Sequence, residues 1–320
     1  MKRLALPILL ASGLLASIAG AQTSSSTPVI GYYKFDVPAG TTAWNCAFVT
    51  KKDFQGAAIS MTAGANSTIN VSGTPFTADA FNLHYVEILS GTRAGLILDV
   101  VSNTTSAIVV EGNTTSLGLT GTETFCVRKH AQLSTVFPGG GGLAPVDDTV
   151  EVFNDAGGST LAAYDGVQWV DAVDFVTPRN PIIYPGQGFK ISSLTGGTVT
   201  FGGNEVSYVK TGPTKIAVYS GIVNLVGVIN PLVSTTPPAP ADQATLSQLG
   251  FETLAPVDDI VTVFSTNGLL TENIYVHDGI QVVDGVDFVT PKGTIPVRNG
   301  QAFMISPLSD GIYTQPQLVP

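Results

Sequence analysis

Charge is scarce in this sequence, and positive charge is scarcest. Only 12% of residues are charged, and 14 Lys and Arg stand against 24 Asp and Glu, for a net charge of −10. Binding a phosphate backbone or an anionic lipid surface needs clustered Lys and Arg, so nucleic acid is excluded as a partner. Cysteine occurs twice, at Cys46 and Cys126, with no C-x-x-C pair. The three histidines, His84, His130 and His277, form no H-E-x-x-H and no i, i+4 pair. That argues against a structural zinc site. No G-x-S-x-G is present to mark a nucleophile elbow. A dispersed Ser-His-Asp triad leaves no local mark and stays open. Good helix formers are thin, and no long stretch repeats its apolar residues every 3.6 positions.

The longest apolar run is at the start. Lys2 and Arg3 precede the stretch Leu4 to Ile18, and Ala19-Gly20-Ala21 supplies an A-x-A cleavage site. This reads as a secretory signal peptide over residues 1–21, too short and too broken by Pro7 and Gly13 to span a bilayer. No cysteine follows it to carry a lipid, and the end, YTQPQLVP, has no apolar tail. The expectation is an exported chain, in the periplasm, on the outer surface or outside the cell, with no membrane insertion after cleavage. In such a compartment an even cysteine count suggests a disulfide between Cys46 and Cys126. Closing that loop would restrict the unfolded chain by about 4 kcal/mol. The alternative is two buried thiols acting as small apolar groups.

What the chain has in abundance is Thr, Val, Gly, Asn and Ser in short β-branched runs separated by turns. That pattern predicts an all-β fold. HYVEIL, LILDVV, AIVVEG and TFCVRK, within residues 81–130, read as a small antiparallel sheet or barrel. PGGGG, at Pro138–Gly142, lacks the Lys and the helix of a phosphate loop and reads as a flexible connector. STTPPAPA, at 234–241, reads as a stiffer one. APADQATLSQLGF, at 239–251, could be one short helix, with Asp242 as N-cap and Gly250 as C-cap.

The dominant feature is a repeat. LAPVDDTVEVF, from Leu143, returns as LAPVDDIVTVF, from Leu254. YDGVQWVDAVDFVTP, from Tyr164, returns as HDGIQVVDGVDFVTP, from His277, and GQGFKIS, from Gly186, as GQAFMIS, from Gly300. Each copy reads as strand, loop, strand, turn, strand, loop, strand, with Asp165-Gly166 and Asp278-Gly279 as tight turns. Val150, Val152, Val170, Val173 and Phe175 are expected in the core. The organisation expected is a signal peptide (1–21), an N-terminal β domain (22–137), a first repeat unit (138–200), a connecting β segment (201–250) and a second repeat unit (251–320). The architecture is a duplicated antiparallel β-sandwich or barrel-like unit with a small β insertion in the N-terminal half. A fainter echo between VPAGTTAWNCAFV, from Val37, and VYSGIVNLVGVIN, from Val218, suggests that the duplicated unit is larger, with residues 50–137 inserted in the first copy.

Together these segments resemble a group of uncharacterised exported bacterial β proteins. The resemblance rests on GYYKFDVPAG from Gly31, YVEILSGTRAGLILDVV from Tyr85, TFCVRKHAQLSTVF from Thr124 and the two repeat units, and it runs over residues 28–306. The sequence departs from the group's pattern in carrying Asp148 and Asp259 within VDD, and in having Val282 where the first unit has Trp169. The resemblance implies export and β architecture, and it lends no catalytic residue.

Chemistry, if any, sits on repeated aspartates: Asp147, Asp148, Asp165, Asp171 and Asp174 recur as Asp258, Asp259, Asp278, Asp284 and Asp287. One reading gathers Asp147, Asp148 and Asp165, and likewise Asp258, Asp259 and Asp278, around calcium, which wants six to eight oxygens. The other makes them turn and strand-end residues. Alternation puts Asp147 and Asp148 on opposite faces of an extended chain, which favours the second reading and no metal or other cofactor. Duplication argues against a paired-carboxylate glycosidase. Trp44 and Trp169, with Tyr164 and Tyr275, could stack on a sugar, although Val282 at the matching position suggests core packing. The expected function is therefore a non-enzymatic structural or interaction protein with a cell-surface or extracellular partner. A carbohydrate-binding module and an exported hydrolase are the alternatives.

Overall fold

A computed structural model of the chain describes residues 31–203, 205–229, 243–265, 268–270, 273–298 and 300–318. The predicted signal peptide and the connector at 234–241 lie outside the described residues. The fold is all-β and antiparallel, and its dominant parts are two five-stranded sheets of matching order. The first runs Trp169–Asp171, Ser159–Tyr164, Thr149–Phe153, Gly188–Ser193, Gly40–Asn45. The second runs Val282–Asp284, Asn273–His277, Ile260–Val263, Ala302–Ser306, Asn224–Gly227. DFVTP follows the edge strand in both.

The smaller ladders correspond as well. Tyr32–Val37 pairs with Gly197–Gly202, as Thr214–Val218 pairs with Gly311–Gln315. Ala131–Gln132 pairs with Ile182–Ile183, as Gln243–Thr245 pairs with Pro296–Arg298. The strands just after Val37 and just after Val218, Gly40–Asn45 and Asn224–Gly227, thus occupy matching places, so the boundaries drawn at 137, 200 and 250 cut through sheets. Strands from residues 32–45 complete the first unit, and those from 214–227 contribute to the second.

Between Asn45 and Ala131 a barrel is inserted. Its sheet runs Lys52–Ala57, Thr124–Lys129, His84–Ile88, Ile97–Asn103, Ala107–Glu111, Asn66–Asn70, Ser60–Thr62. The two outermost strands are separated only by Ala58 and Ile59, so one bent stretch of chain pairs with both ends of the sheet and closes the ring. Closure removes the free edges that a sheet of this size would otherwise expose. Its interior is filled by Ile69, Val86, Ile88, Leu98, Ile108, Val110, Phe125 and Val127. Each of the two units has a core of its own. The first is built on Trp44, Phe137, Phe189 and Phe201, the second on Phe251, Phe303 and Tyr313. Full burial of each such ring contributes on the order of 2–3 kcal/mol. The units are stitched together by backbone bonds, including Asn45 N to Gly300 O at 2.8 Å and Gly227 N to Gly186 O at 3.0 Å.

Local expectations fared unevenly. Val150, Val152 and Val170 are buried as the alternation requires. Pro138–Gly142 is no flexible connector. It forms a tight turn, with Gly139, Gly140 and Gly141 all at positive φ and Gly140 and Gly141 buried. The short helix expected at 239–251 is replaced, in its described part, by the strand Gln243–Thr245 and the 3₁₀ turn Leu246–Gln248. Strand pairing with Pro296–Arg298 supplies backbone partners that a lone short helix would lack.

Candidate functional site

The repeated aspartates are best understood from the loops they hold. Asp148 is buried, and its carboxylate accepts hydrogen bonds from Ala144 N at 2.8 Å and Leu194 N at 3.0 Å. Asp259 does the same with Ala255 N at 2.8 Å and Leu308 N at 2.9 Å. Asp165 accepts from Val167 N and Gln168 N, and Asp278 from Ile280 N and Gln281 N. Asp171 accepts from Val173 N and Arg179 Nε, and Asp284 accepts from Val286 N and lies 3.4 Å from Lys292 Nζ. Asp174 and Asp287 each take two backbone amides and a Thr hydroxyl. Asp147 and Asp258 are exposed beside them. The bonded carboxylates are thus distributed, one to each loop they hold, rather than gathered at one point. Among the described residues no group of three or more His, Cys, Asp or Glu is placed to hold a metal ion.

At Asp165, Asp174, Asp278 and Asp287 the bonds favour the ionised carboxylate. Gln168 N and Val167 N lower the pKa of Asp165, and Gln281 N and Ile280 N that of Asp278. The Thr177 hydroxyl, with the Val176 and Thr177 amides, holds Asp174 at about 2. The Thr290 hydroxyl, with the Thr290 and Val289 amides, holds Asp287 at about 2 as well.

What the clasped loops display is apolar. Val173 is 82% exposed and its counterpart Val286 80%, while Val167 is 86% exposed and its counterpart Ile280 90%. Val176 and Val289 are exposed too, as are Phe175 and Phe288, Val146 and Val257, Leu161 and Ile274. The core positions expected for Val173 and Phe175 are therefore corrected. The edge strand ends at Asp171, and the next residues fold back so that Val170 bridges Pro178 and Arg179 N bonds Trp169 O. That return covers the sheet edge with backbone and turns Val173 outward. Four of the displayed residues also sit in left-handed backbone, Val146 at φ 59°, Phe175 at 55° and Val257 and Phe288 both at 57°. A non-glycine residue there costs about 1–2 kcal/mol, and the cost is carried at the same positions in both units.

No family model, curated protein or solved structure matches this chain.

The other predicted site residues lie elsewhere. Trp44 is 2% exposed and Trp169 4%, and both are in the first unit's core, where Trp44 Nε1 donates to Thr42 Oγ1 at 2.7 Å. Tyr275 is buried and Tyr164 packs against Trp169. The stacking-platform reading of Trp44 and Trp169 is corrected: neither ring has a face open to a ligand. The disulfide is corrected too, since Cys46 and Cys126 are both free and buried. Cys46 packs in the first unit's core, whereas Cys126 points outward from the barrel, with Sγ 3.5 Å from Glu87 Oε2. Burial pushes both thiols up to about 12, helped at Cys126 by the Glu87 carboxylate.

Two arrangements were invisible in the sequence because their parts are far apart along it. Glu87 is buried between two cations, Arg128 Nε at 3.0 Å and Lys210 Nζ at 2.8 Å. Burial alone would raise the Glu87 carboxyl, but Lys210 and Arg128 outweigh it and hold the group low. This triad ties the barrel's outer face to the chain entering the second unit. Near it, a cleft of about 620 Å³ opens where the barrel, the first unit and the second unit meet. On its wall the Tyr184 hydroxyl donates to Asp99 Oδ2 at 2.6 Å, and Asp99 Oδ1 lies 3.2 Å from His130 Nε2. Burial opposes ionisation of Asp99, but the bonds to His130 and Tyr184 prevail and lower its pKa.

Proposed function

We propose that this is an exported, non-enzymatic interaction protein of the cell surface or extracellular space, which docks a partner protein through two equivalent apolar crests. The observation that carries this reading is the matched display of Val167, Val173 and Val176 in one unit and Ile280, Val286 and Val289 in the other. Large exposed apolar groups clustered on clasped, strained loops contribute little to the protein's own core. Apolar patches rimmed by polar residues are the usual form of a docking site. Rigid loops lower the entropic cost of association. The rim is acidic, with Asp147 and Asp258 exposed beside the crests, and the whole chain carries −10. That charge favours a partner with a basic rim and disfavours an anionic membrane or a second copy of this chain. Two equal crests in one chain suit a partner with repeated sites, where linkage raises avidity.

The test places a photo-crosslinking residue at Val173, at Val286 and, as control, at the exposed barrel residue Ser72 in cells that express the protein. The expected result is the same crosslinked partner from both crest positions, absent from Ser72 and absent after Val176→Asp with Val289→Asp. Products indistinguishable from the Ser72 control would end this reading.

A further inference from the structure

The cleft between the three bodies is chemically distinct from the crests. Its floor is aliphatic, with Ile97 from the barrel, Ile182 from the first unit, and Ile216 and Ile222 from the second. Its acidic groups come from separate places, Asp99 and Glu111 from the barrel and Asp155 from the hairpin loop of the first unit. Among the described residues neither Glu111 nor Asp155 has a cationic partner, and Asp99 has only His130. The cleft-lining cation is Lys215, whose ammonium bonds Thr314 Oγ1 at 3.3 Å. Two phenols, Tyr184 and Tyr219, complete the wall. The field they sense is negative. Beyond the effect of burial, Asp99, Asp155 and Glu111 raise the Tyr184 hydroxyl, and Asp155 and Asp310 raise that of Tyr219.

A half-open cavity of this size suits a small molecule or a short stretch of peptide. Aliphatic floor, aromatic wall and surplus carboxylates together select a particular chemistry. A neutral apolar ligand would leave the carboxylates desolvated without compensation, and an anion would be repelled. A cation on a flexible hydrocarbon chain satisfies both surfaces, with charge met by carboxylate and by phenol ring faces. We propose that this cleft binds an alkylammonium ligand. Its methylene chain lies along Ile97, Ile182, Ile216 and Ile222, and its ammonium groups meet Asp99, Glu111 and Asp155. A free polyamine and the lysine side chains of a peptide present the same chemistry.

Isothermal titration calorimetry of the full chain decides the matter, with spermidine, acetyl-Lys-Lys-Lys-amide and the neutral sugar maltotetraose as probes. Binding of spermidine or of the lysine peptide is expected, weakening with added salt, and the tighter of the two identifies the source. Glu111→Gln with Asp155→Asn, both exposed positions, should weaken binding about tenfold with an unchanged melting temperature. Ile222→Arg, which offers the cleft a cation from the chain itself, should produce a comparable loss. No binding of either amine at millimolar concentration would overturn the proposal. So would binding indifferent to these substitutions, or binding of maltotetraose alone.

Discussion

Asp174 and Asp287 each hold two backbone amides and a threonine hydroxyl on a fully exposed loop. Their carboxyls sit at about 2, below the ordinary 3.8. A group whose pKa is lowered by folding stabilises the fold at pH values above its unfolded pKa. That contribution fades as pH falls toward the folded value. Asp165, Asp171 and Asp278 are shifted in the same direction. The melting temperature should therefore hold steady down to about pH 4 and drop between about pH 4 and pH 2. Asp174→Asn with Asp287→Asn keeps an amide oxygen in place but cannot titrate, so the double variant should show a shallower drop. An identical acid profile for both proteins would mean that these clasps do not set the acid limit.

At the scale of single elements, the turn Pro138–Gly142 shows how a composition that reads as flexible can be rigid. A Cβ at Gly141 would stand 2.8 Å from Thr200 O and 3.0 Å from Phe137 Cδ1, in left-handed backbone at φ 64°. A Cβ at Gly139 would meet nothing within 4 Å, at φ 59°. Gly139→Ala should cost about 1 kcal/mol, the left-handed penalty alone. Gly141→Ala should cost about 2–4 kcal/mol, because the added methyl also overpacks the contact with Phe137 and with the strand Gly197–Gly202. Urea denaturation of the two variants checks the contrast, and equal costs would show that the turn is not packed as described. The crest loops follow the same logic in reverse. Their strain is held in place by carboxylate clasps, which leaves the apolar side chains free to face outward.

The whole molecule depends on the junction of barrel and units, and there Glu87 is the one buried anion between Arg128 and Lys210. Removing one partner from a buried ionic group leaves uncompensated charge and costs about 3–5 kcal/mol. Glu87→Gln leaves two buried cations facing each other. It should lower the melting temperature by several degrees, and calorimetry should show the barrel and the units melting as separate transitions. Glu87→Gln with Lys210→Met removes one of those cations and should recover part of the loss. A single unshifted transition in Glu87→Gln would show that the triad does not couple the parts.

Sequence by itself settled the all-β class, the repeat and the turns at Asp165-Gly166 and Asp278-Gly279, because strand alternation and Asp-Gly turns are local chemistry. It also pointed to Asp148, Asp165, Asp259 and Asp278 as residues of consequence, since their spacing recurs. It could not say whether Val173 faces inward, because that depends on where the edge strand ends and on Pro178 folding back to bridge Val170. Nor could it say that Cys46 and Cys126 occupy separate surroundings, that Trp44 and Trp169 are core, or that Lys52–Ala57 and Ser60–Thr62 close a barrel. Each of these is a relation between segments brought together by folding, and periodicity carries no information about such relations. The cleft is the extreme case: Asp99, Asp155 and Ile222 lie in three bodies, and only tertiary packing brings their charge and apolar surface into one cavity.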